Sequence, residues 1–315
     1  MVKVVALFVL GLILICLGGD RLVDAAVAIA KRLKIPEIVV GATIVSLGTT
    51  LPEILVSTTA ALQGTPGAAD ISAGNAFGSI ICNTALIAGL TQLIAPSKKV
   101  ARSSITWRAA MFFGVSLALI AVGLFTGQFN RVTGIALLFV FCIYAVANVK
   151  FPGGDEEEKK KEEDKQGPLA VQLLTLAVCA VLLYFGANLL VDNGIILAGA
   201  LGVPERVIAV TFIALGTSLP ELVTSLASII KGYGNVGLGN IVGANLLNLL
   251  LVMGIPATIT GISLNPSTVR IDAVLGVIVM AVLTVPLMIK QRSYRVQGGI
   301  LLAVYVGYVV SSFVA

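Results

Sequence analysis

Gly48-Thr49-Thr50-Leu51-Pro52-Glu53 and Gly216-Thr217-Ser218-Leu219-Pro220-Glu221 are two forms of one six-residue phrase, one in each half of a 315-residue chain. The match extends outward on both sides. Gly18-Gly19-Asp20-Arg21-Leu22-Val23-Asp24 pairs with Gly186-Ala187-Asn188-Leu189-Leu190-Val191-Asp192, and Pro36-Glu37 with Pro204-Glu205. Thr43-Ile44-Val45-Ser46-Leu47 pairs with Thr211-Phe212-Ile213-Ala214-Leu215. Gly74-Asn75 pairs with Gly239-Asn240, and the run from Gly78 to Asn83 with that from Gly243 to Asn248. The chain is therefore an internal duplication, and each copy carries one glutamate inside an apolar stretch.

The solvent of those stretches is lipid. Hydrophobic residues make up 57% and charged residues 12%, about half the charge of a soluble domain. The mean hydropathy is +1.03. Long continuous apolar runs read as spanning helices, whereas a membrane barrel would show short alternating segments. Ten spans are expected, near 3–23, 37–62, 70–94, 105–127, 131–150, 168–192, 205–230, 236–256, 271–290 and 297–314. The first run, Val4 to Leu17, reads as a spanning helix, not a cleaved leader, because no small-residue cleavage site follows it. Between the fifth and sixth spans, 151–167 carries the run from Asp155 to Lys165, eleven charges in succession, which stays solvated. The expected organisation is a first five-helix repeat (1–150), a charged cytoplasmic linker (151–167) and a second five-helix repeat (168–315).

Five is odd, so the second copy enters the membrane from the opposite face. The fold class is thus an all-α membrane protein with ten transmembrane helices in two inverted five-helix repeats, a plan used for alternating access. Lysine and arginine set the orientation. With both termini outside, the inner loops hold Lys31, Arg32, Lys34, Lys98, Lys99, Arg102, Arg108, Lys150, Lys231, Lys290, Arg292 and Arg295. The outer side then holds Lys3, Arg131, Arg206 and Arg270. The expected location is a cell membrane, with the linker cytoplasmic.

A carboxylate at the bilayer centre costs roughly 2.5–3.5 kcal/mol by insertion scales. Glu53 and Glu221 need compensation, and no lysine or arginine is expected in a nearby span, which leaves a bound cation or a proton. Pro52 and Pro220 lack an N–H and displace the carbonyls of Gly48 and Gly216, so backbone oxygen joins the hydroxyls of Thr49, Thr50, Thr217 and Ser218. Ser79 and Asn83 share a helix face, with Ala244 and Asn248 as their counterparts. Asn75, Asn240 and Asn245 are further polar candidates. Two carboxylates with neutral oxygens balance one divalent ion, and a pliable oxygen cage favours calcium over magnesium. Sodium takes oxygen ligands of similar reach, so either ion fits this reading.

The doubled Gly-Thr-x-Leu-Pro-Glu phrase resembles the two alpha-repeats of the calcium/cation antiporter superfamily, most closely its prokaryotic sodium/calcium exchanger branch. The resemblance spans nearly the whole chain. It implies that Glu53 and Glu221 are central calcium ligands, assisted by Thr49 and Thr217 with Thr50 and Ser218 beside them. It also implies that Ser46 and Ala214 offer carbonyls to flanking sodium sites, that Ser79 lines one of those sites, and that Asn83 faces the centre. The first span of each half would slide against the rest. Asn248 stands where potassium-dependent members carry Asp, and Ala244 where the family often has Ser, so one sodium site loses a hydroxyl. Proton/calcium exchangers usually carry Gly-Asn-x-x-Glu instead, a motif absent here, so proton coupling stands second, as the alternative.

Other classes fit less well. There is no Walker loop for a pump and no nucleophile constellation for an enzyme. The formal charge of +5 is spread over loops, so nucleic acid is not implied. Cys16, Cys82, Cys142 and Cys179 lie scattered in apolar segments and read as buried hydrophobes. No cofactor is implied. The expected partners are Ca2+ and Na+ (or H+) as transported ions and the lipid bilayer, with no obligate protein partner.

Overall fold

The computed structural model describes residues 1–63, 68–97, 100–150, 168–200 and 214–314. The linker at 151–167, Pro204-Glu205, Arg206, Thr211 to Ile213, Lys98 and Lys99 lie outside them. The first half begins with α1 (Val2–Leu33). A broken span follows, made of α2 (Glu37–Val40), a π-helical segment (Gly41–Val45), α3 (Ser46–Thr49) and α4 (Leu51–Gln63). Next come α5 (Ala68–Ile81), a π-helical segment (Cys82–Ala88), α6 (Gly89–Ile94), α7 (Arg102–Thr126) and α8 (Arg131–Lys150). The second half holds α9 (Leu169–Ala200), α10 (Ala214–Thr217), α11 (Leu219–Ile230) and α12 (Gly234–Leu247). A π-helical segment (Asn248–Val252), α13 (Gly254–Ile259), a further π-helical segment (Thr268–Ala273), α14 (Val274–Lys290) and α15 (Arg295–Val314) complete it. Among the described residues, a two-residue strand pair, β1 (Gln128–Phe129) with antiparallel β2 (Ile262–Ser263), is the exception to the helices.

Among the described residues, seven helices are long and apolar enough to cross a membrane, and an eighth if the bent pair Glu37–Thr49 and Leu51–Leu62 counts as one span. Two shorter apolar helices, Leu219–Ile230 and Arg295–Ser311, stand where the seventh and tenth spans were expected. Lipid-facing positions carry bare apolar side chains such as Leu17, Phe125, Phe139 and Phe185. The sequence placed the end of the first span at residue 23 and of the sixth at 192. Both helices run on, to Leu33 and Ala200. Hydropathy ends a span at its first charges, but Ala25, Ala26, Ile29 and Ala30 continue the buried face of α1 beyond Asp20 and Asp24. Lys34 stops α1 in the left-handed conformation (φ 55°), with Lys31 and Arg32 in the last turn, where cations complement the helix dipole.

α1 and α9 pack antiparallel along their length, through small residues that let backbones approach. A Cβ at Gly18 would meet the Cys179 carbonyl at 3.3 Å and Leu183 Cγ at 3.2 Å. One at Gly186 would meet the Gly11 carbonyl at 3.0 Å and Ile15 Cγ1 at 2.8 Å. Gly18 and Gly186 are matched in the duplication, and by the same spacing so are Gly11 with Cys179 and Ile15 with Leu183. The contact is therefore reciprocal, the geometry of a two-fold axis.

The connections sort to two ends. At one, Val100 N donates to the Gln291 carbonyl (3.0 Å), Ser293 N to the Ser97 carbonyl (3.0 Å) and Ser97 N to Ser293 Oγ (2.8 Å). At the other, β1 pairs with β2, and Arg131 reaches the last carbonyls of α13, Thr258 (2.9 Å) and Ile259 (3.0 Å). Lys231 Nζ ties α11 to α1 through Asp20 and Asp24, each at 2.7 Å. At the centre of the bundle, α12 is enclosed on all sides, every residue from Val236 to Leu247 being buried.

Arg108 corrects the sequence reading, which put it in a loop and left the nearby spans free of cations. It lies in the second turn of α7 and is fully buried. Its guanidinium donates to Asn148 Oδ1 (2.7 and 3.2 Å) and the Ser104 carbonyl (2.5 Å), and lies 4.5 Å from the Trp107 ring centroid. Asn148 Nδ2 donates to the Tyr144 carbonyl (2.8 Å), and the Tyr144 hydroxyl donates to the Ala42 carbonyl in the π-helical segment before the Pro-Glu break. Truncating one member of such a network leaves buried partners unpaired. Arg108→Ala is expected to destabilise the detergent-solubilised protein by about 2–4 kcal/mol. Lys231→Met, at a half-exposed pair, should cost less than about 1 kcal/mol. Denaturant titration of both variants separates the two cases.

Candidate cation site

The two six-residue phrases fold alike. α3 ends at Thr49, and α4 leaves at 44° to the preceding helix. In the second half α10 ends at Thr217, Ser218 stands at the N-cap position of α11 without a side-chain capping bond, and Pro220 occupies its first turn, where a missing N–H costs nothing. Each break places a glutamate in the first turn of the following helix, Glu53 in α4 and Glu221 in α11. Both are wholly buried.

The breaks face each other and exchange hydrogen bonds. Thr50 Oγ1 donates to Glu221 Oε1 at 3.1 Å, and its counterpart Ser218 Oγ donates to Glu53 Oε1 at 3.5 Å. Thr49 lies beside the Glu221 carboxylate and Thr217 beside that of Glu53. Each glutamate is thus held by hydroxyls of the other half. The second oxygen of each, Glu53 Oε2 and Glu221 Oε2, has no hydrogen-bond partner among the described residues.

Asn83 and Asn248 occupy matched positions where the π-helical segments Cys82–Ala88 and Asn248–Val252 begin. Both are wholly buried, and neither amide has a partner among the described residues. π-turns inside α-helices gather at functional sites, and here they occur at the same point of both halves. Ser79 is buried in α5. Ser46 Oγ turns back to the Thr43 carbonyl at 3.1 Å, while the Ser46 carbonyl accepts Thr50 N (2.9 Å) and Thr49 Oγ1 (3.4 Å). Ala214 opens α10.

Several residues near the breaks carried no strong signal in the sequence. Asn240 Oδ1 accepts from Thr49 Oγ1 at 3.1 Å. Asn75 Nδ2 donates to the Glu53 carbonyl (3.1 Å) and Ser57 Oγ (2.9 Å), fixing α4 against α5. Asn245 Nδ2 donates to Thr84 Oγ1 (2.7 Å) and lies 3.6 Å from Met280 Sδ. Cys82, read as a small hydrophobe, is buried beside Ser218 and both glutamates. The sequence marks Asn75 and Asn240 through their matched glycines and Asn245 as a further polar candidate, but no signal marks Cys82.

Two carboxylates with unsatisfied oxygens, surrounded by hydroxyls and amides, form a cage for a hard cation. The sodium/calcium exchanger protein family matches this chain over residues 3–150 and 171–314. The chain belongs to that family. It is a multi-pass membrane protein, an ion-transporting antiporter type and not an enzyme. The family match falls into two blocks on either side of the linker, as the duplication does.

The solved structure of the sodium-calcium exchanger NCX_Mj, soaked with 100 mM Na+ and 10 mM Sr2+, superposes with a TM-score of 0.83 at 31% identity, covering 99% of each chain. Inner membrane protein YrbG of Escherichia coli is 34% identical over 84% of this chain and 83% of its own. Sodium/calcium exchanger MaX1 of Methanosarcina acetivorans is 29% identical over 98% and 97%.

Proposed function

We propose that this exchanger moves Ca2+ against Na+ by alternating access at one central site built from Glu53 and Glu221. The observation that carries the reading is the reciprocal pair Thr50–Glu221 and Ser218–Glu53 between two wholly buried carboxylates. Each half supplies one charge, so neither half alone neutralises a divalent ion. A Ca2+ balances both charges, and the free Oε2 atoms, the carbonyls released by Pro52 and Pro220 and the threonine hydroxyls complete its oxygen shell. Sodium would take the flanking positions at Ser46, Thr49 and Ser79, and at Ala214 and Thr217, with Asn83 and Asn248 facing the centre. The NCX_Mj structures, soaked with Na+ and Sr2+, support calcium-class cargo.

The ten-span, inverted-repeat plan fits this mechanism. The antiparallel contact of α1 with α9 supports inversion, because matched helices of inverted halves run in opposite directions. Ser97 and Val100 meet Ser293 and Gln291 at one end, and the segments carrying β1 and β2 meet at the other, in keeping with the alternation that ten crossings require. Lysine and arginine counts make the first of these ends cytoplasmic. α1 and α9, packed on each other, form the pair that slides past the core. The halves 1–150 and 168–315, joined by the 151–167 linker, are the two repeats.

Equilibrium Ca2+ binding to purified protein tests the site. One Ca2+ per chain is expected, displaced by Na+ with a Hill coefficient above one. Binding that Na+ does not displace overturns sodium coupling. Ala244 is fully buried and removes a hydroxyl from the second-half sodium position. Ala244→Ser should therefore lower the Na+ concentration for half-displacement about fivefold, a single hydroxyl ligand's worth. An unchanged midpoint means that this position does not touch sodium.

A further inference from the structure

One turn beyond Glu221, the duplication stops being symmetric. Ser57 follows Glu53 by four residues, and Ser225 follows Glu221 by four. In the first half Ser57 Oγ accepts from Asn75 Nδ2 at 2.9 Å. The matched pair in the second half, Ser225 and Asn240, makes no such bond. Asn240 turns its Oδ1 to Thr49 instead, leaving its Nδ2, and Ser225 Oγ, without a partner among the described residues. Thr224 Oγ1 is likewise unpartnered, where the first half has Val56.

The unpartnered Ser225 opens onto a cavity. Ser225, Ile229, Gly234 and Gly237 line it from α11 and α12, and Thr91 and Gln92 from α6. Gln92 is 4% exposed, and neither its Oε1 nor its Nε2 has a partner among the described residues. The space open to the centre of a water-sized sphere is about 20 Å3, enough for one water or a small ion. Buried amides and hydroxyls of this kind are normally satisfied, so the cavity is built for a polar guest. Ala95 and Ser97 close it at the end where Ser97 meets Ser293 and Val100 meets Gln291.

We propose that this cavity is a waystation for a small monovalent cation between the cytoplasmic face and Glu221. Gln92 Oε1 and Ser225 Oγ are its protein ligands, with water completing the shell. The lining contains no carboxylate. Neutral oxygens hold a singly charged ion but leave a divalent one uncompensated in a low-dielectric surround. The Glu221 charge, one helical turn deeper, draws the ion inward. Among the described residues the matched first-half pair, Ser57 and Asn75, satisfy each other, so of the two pairs it is the second-half one that is left open to such an ion. This inference rests on the proposed reading of Glu53 and Glu221 as the central site, and of the 95–101 loop as cytoplasmic.

The test removes the central site first. In a Glu53→Gln/Glu221→Gln protein, NaCl against choline chloride at equal ionic strength should still raise Tm by about 2–4 °C. Adding Gln92→Leu, or separately Ser225→Ala, should abolish that sodium-specific rise, and CaCl2 should give no Gln92-dependent rise. No sodium-specific shift in the double-glutamine protein, a shift that both cavity variants leave intact, or a Gln92-dependent calcium shift each overturns the proposal. Failure of calcium/sodium exchange itself would instead appear as wild-type calcium uptake indifferent to sodium, which this melting experiment does not measure.

Discussion

Glu53→Gln and Glu221→Gln will each reduce calcium transport by at least about a hundredfold while leaving the protein folded. In the proposed site, either change removes one of the two charges that would balance a divalent ion away from water. Losing one charged partner of a desolvated pair costs about 3–5 kcal/mol, which is roughly 10² to several times 10³ in affinity. The two variants should fail to a similar degree, because each carboxylate is held by the other half in the same way: Thr50 on Glu221 and Ser218 on Glu53. The amide is nearly isosteric and avoids burying a charge, so Tm without calcium should stay equal or rise. The rise in Tm expected for the wild type with calcium should be lost in both variants. Uptake within twofold of wild type in either variant removes that glutamate from the site.

The second large effect comes from a methyl group. Gly243→Ala is expected to lower calcium uptake about a hundredfold and to destabilise the fold. A Cβ at Gly243 would lie 2.5 Å from the Ala42 carbonyl oxygen, 2.6 Å from Ala42 Cα and 2.6 Å from Ser46 Oγ. Two of these atoms are backbone and cannot swing aside. Tyr144 also pins the Ala42 carbonyl, so α12 must move away from the π-helical segment. Overpacking of this kind costs about 1–3 kcal/mol. The displacement falls one turn along α12 from Asn240, whose Oδ1 accepts from Thr49 Oγ1 at 3.1 Å and so joins α12 to α3, the helix that follows the π-helical segment. Misplacement by an ångström at a reacting or binding site can cost about a hundredfold. Gly114→Ala is the control, on an exposed helix face where no described atom lies within 4 Å of the added Cβ. Equal uptake by the two alanine variants would show that the close approach at Gly243 does not set the site geometry.

The site was readable where a local rule forces it. A glutamate after a proline in an apolar run is costly and conspicuous, and its repetition in each half pointed to a shared site before any coordinates. No local rule says whether the hydroxyls of Thr50 and Ser218 bond their own helices or face the site. They face the opposite glutamates, a choice set by contacts across the whole chain. The same limit hid Cys82 and the Asn245–Thr84 bond, because no local pattern says which distant helix a residue will meet. Arg108 was misplaced for a related reason. Its partner Asn148 lies on another helix, and a cation near a span end ordinarily marks a loop. Hydropathy found the apolar body of α1 but not its end, since the helix outlasts the lipid-facing run. The matched π-helical segments have no residue signature, and only the backbone reveals that both begin beside an asparagine. The family match agrees with the duplication because both follow the same repeated residues.

Calcium uptake into proteoliposomes loaded with sodium, compared with uptake driven by an opposing pH gradient at equal sodium, tests the exchange most directly. Exchange at the two-glutamate site requires uptake that depends on internal sodium, ignores the pH gradient and vanishes in Glu53→Gln and Glu221→Gln. Uptake driven by the pH gradient alone, with sodium irrelevant, would contradict sodium/calcium exchange.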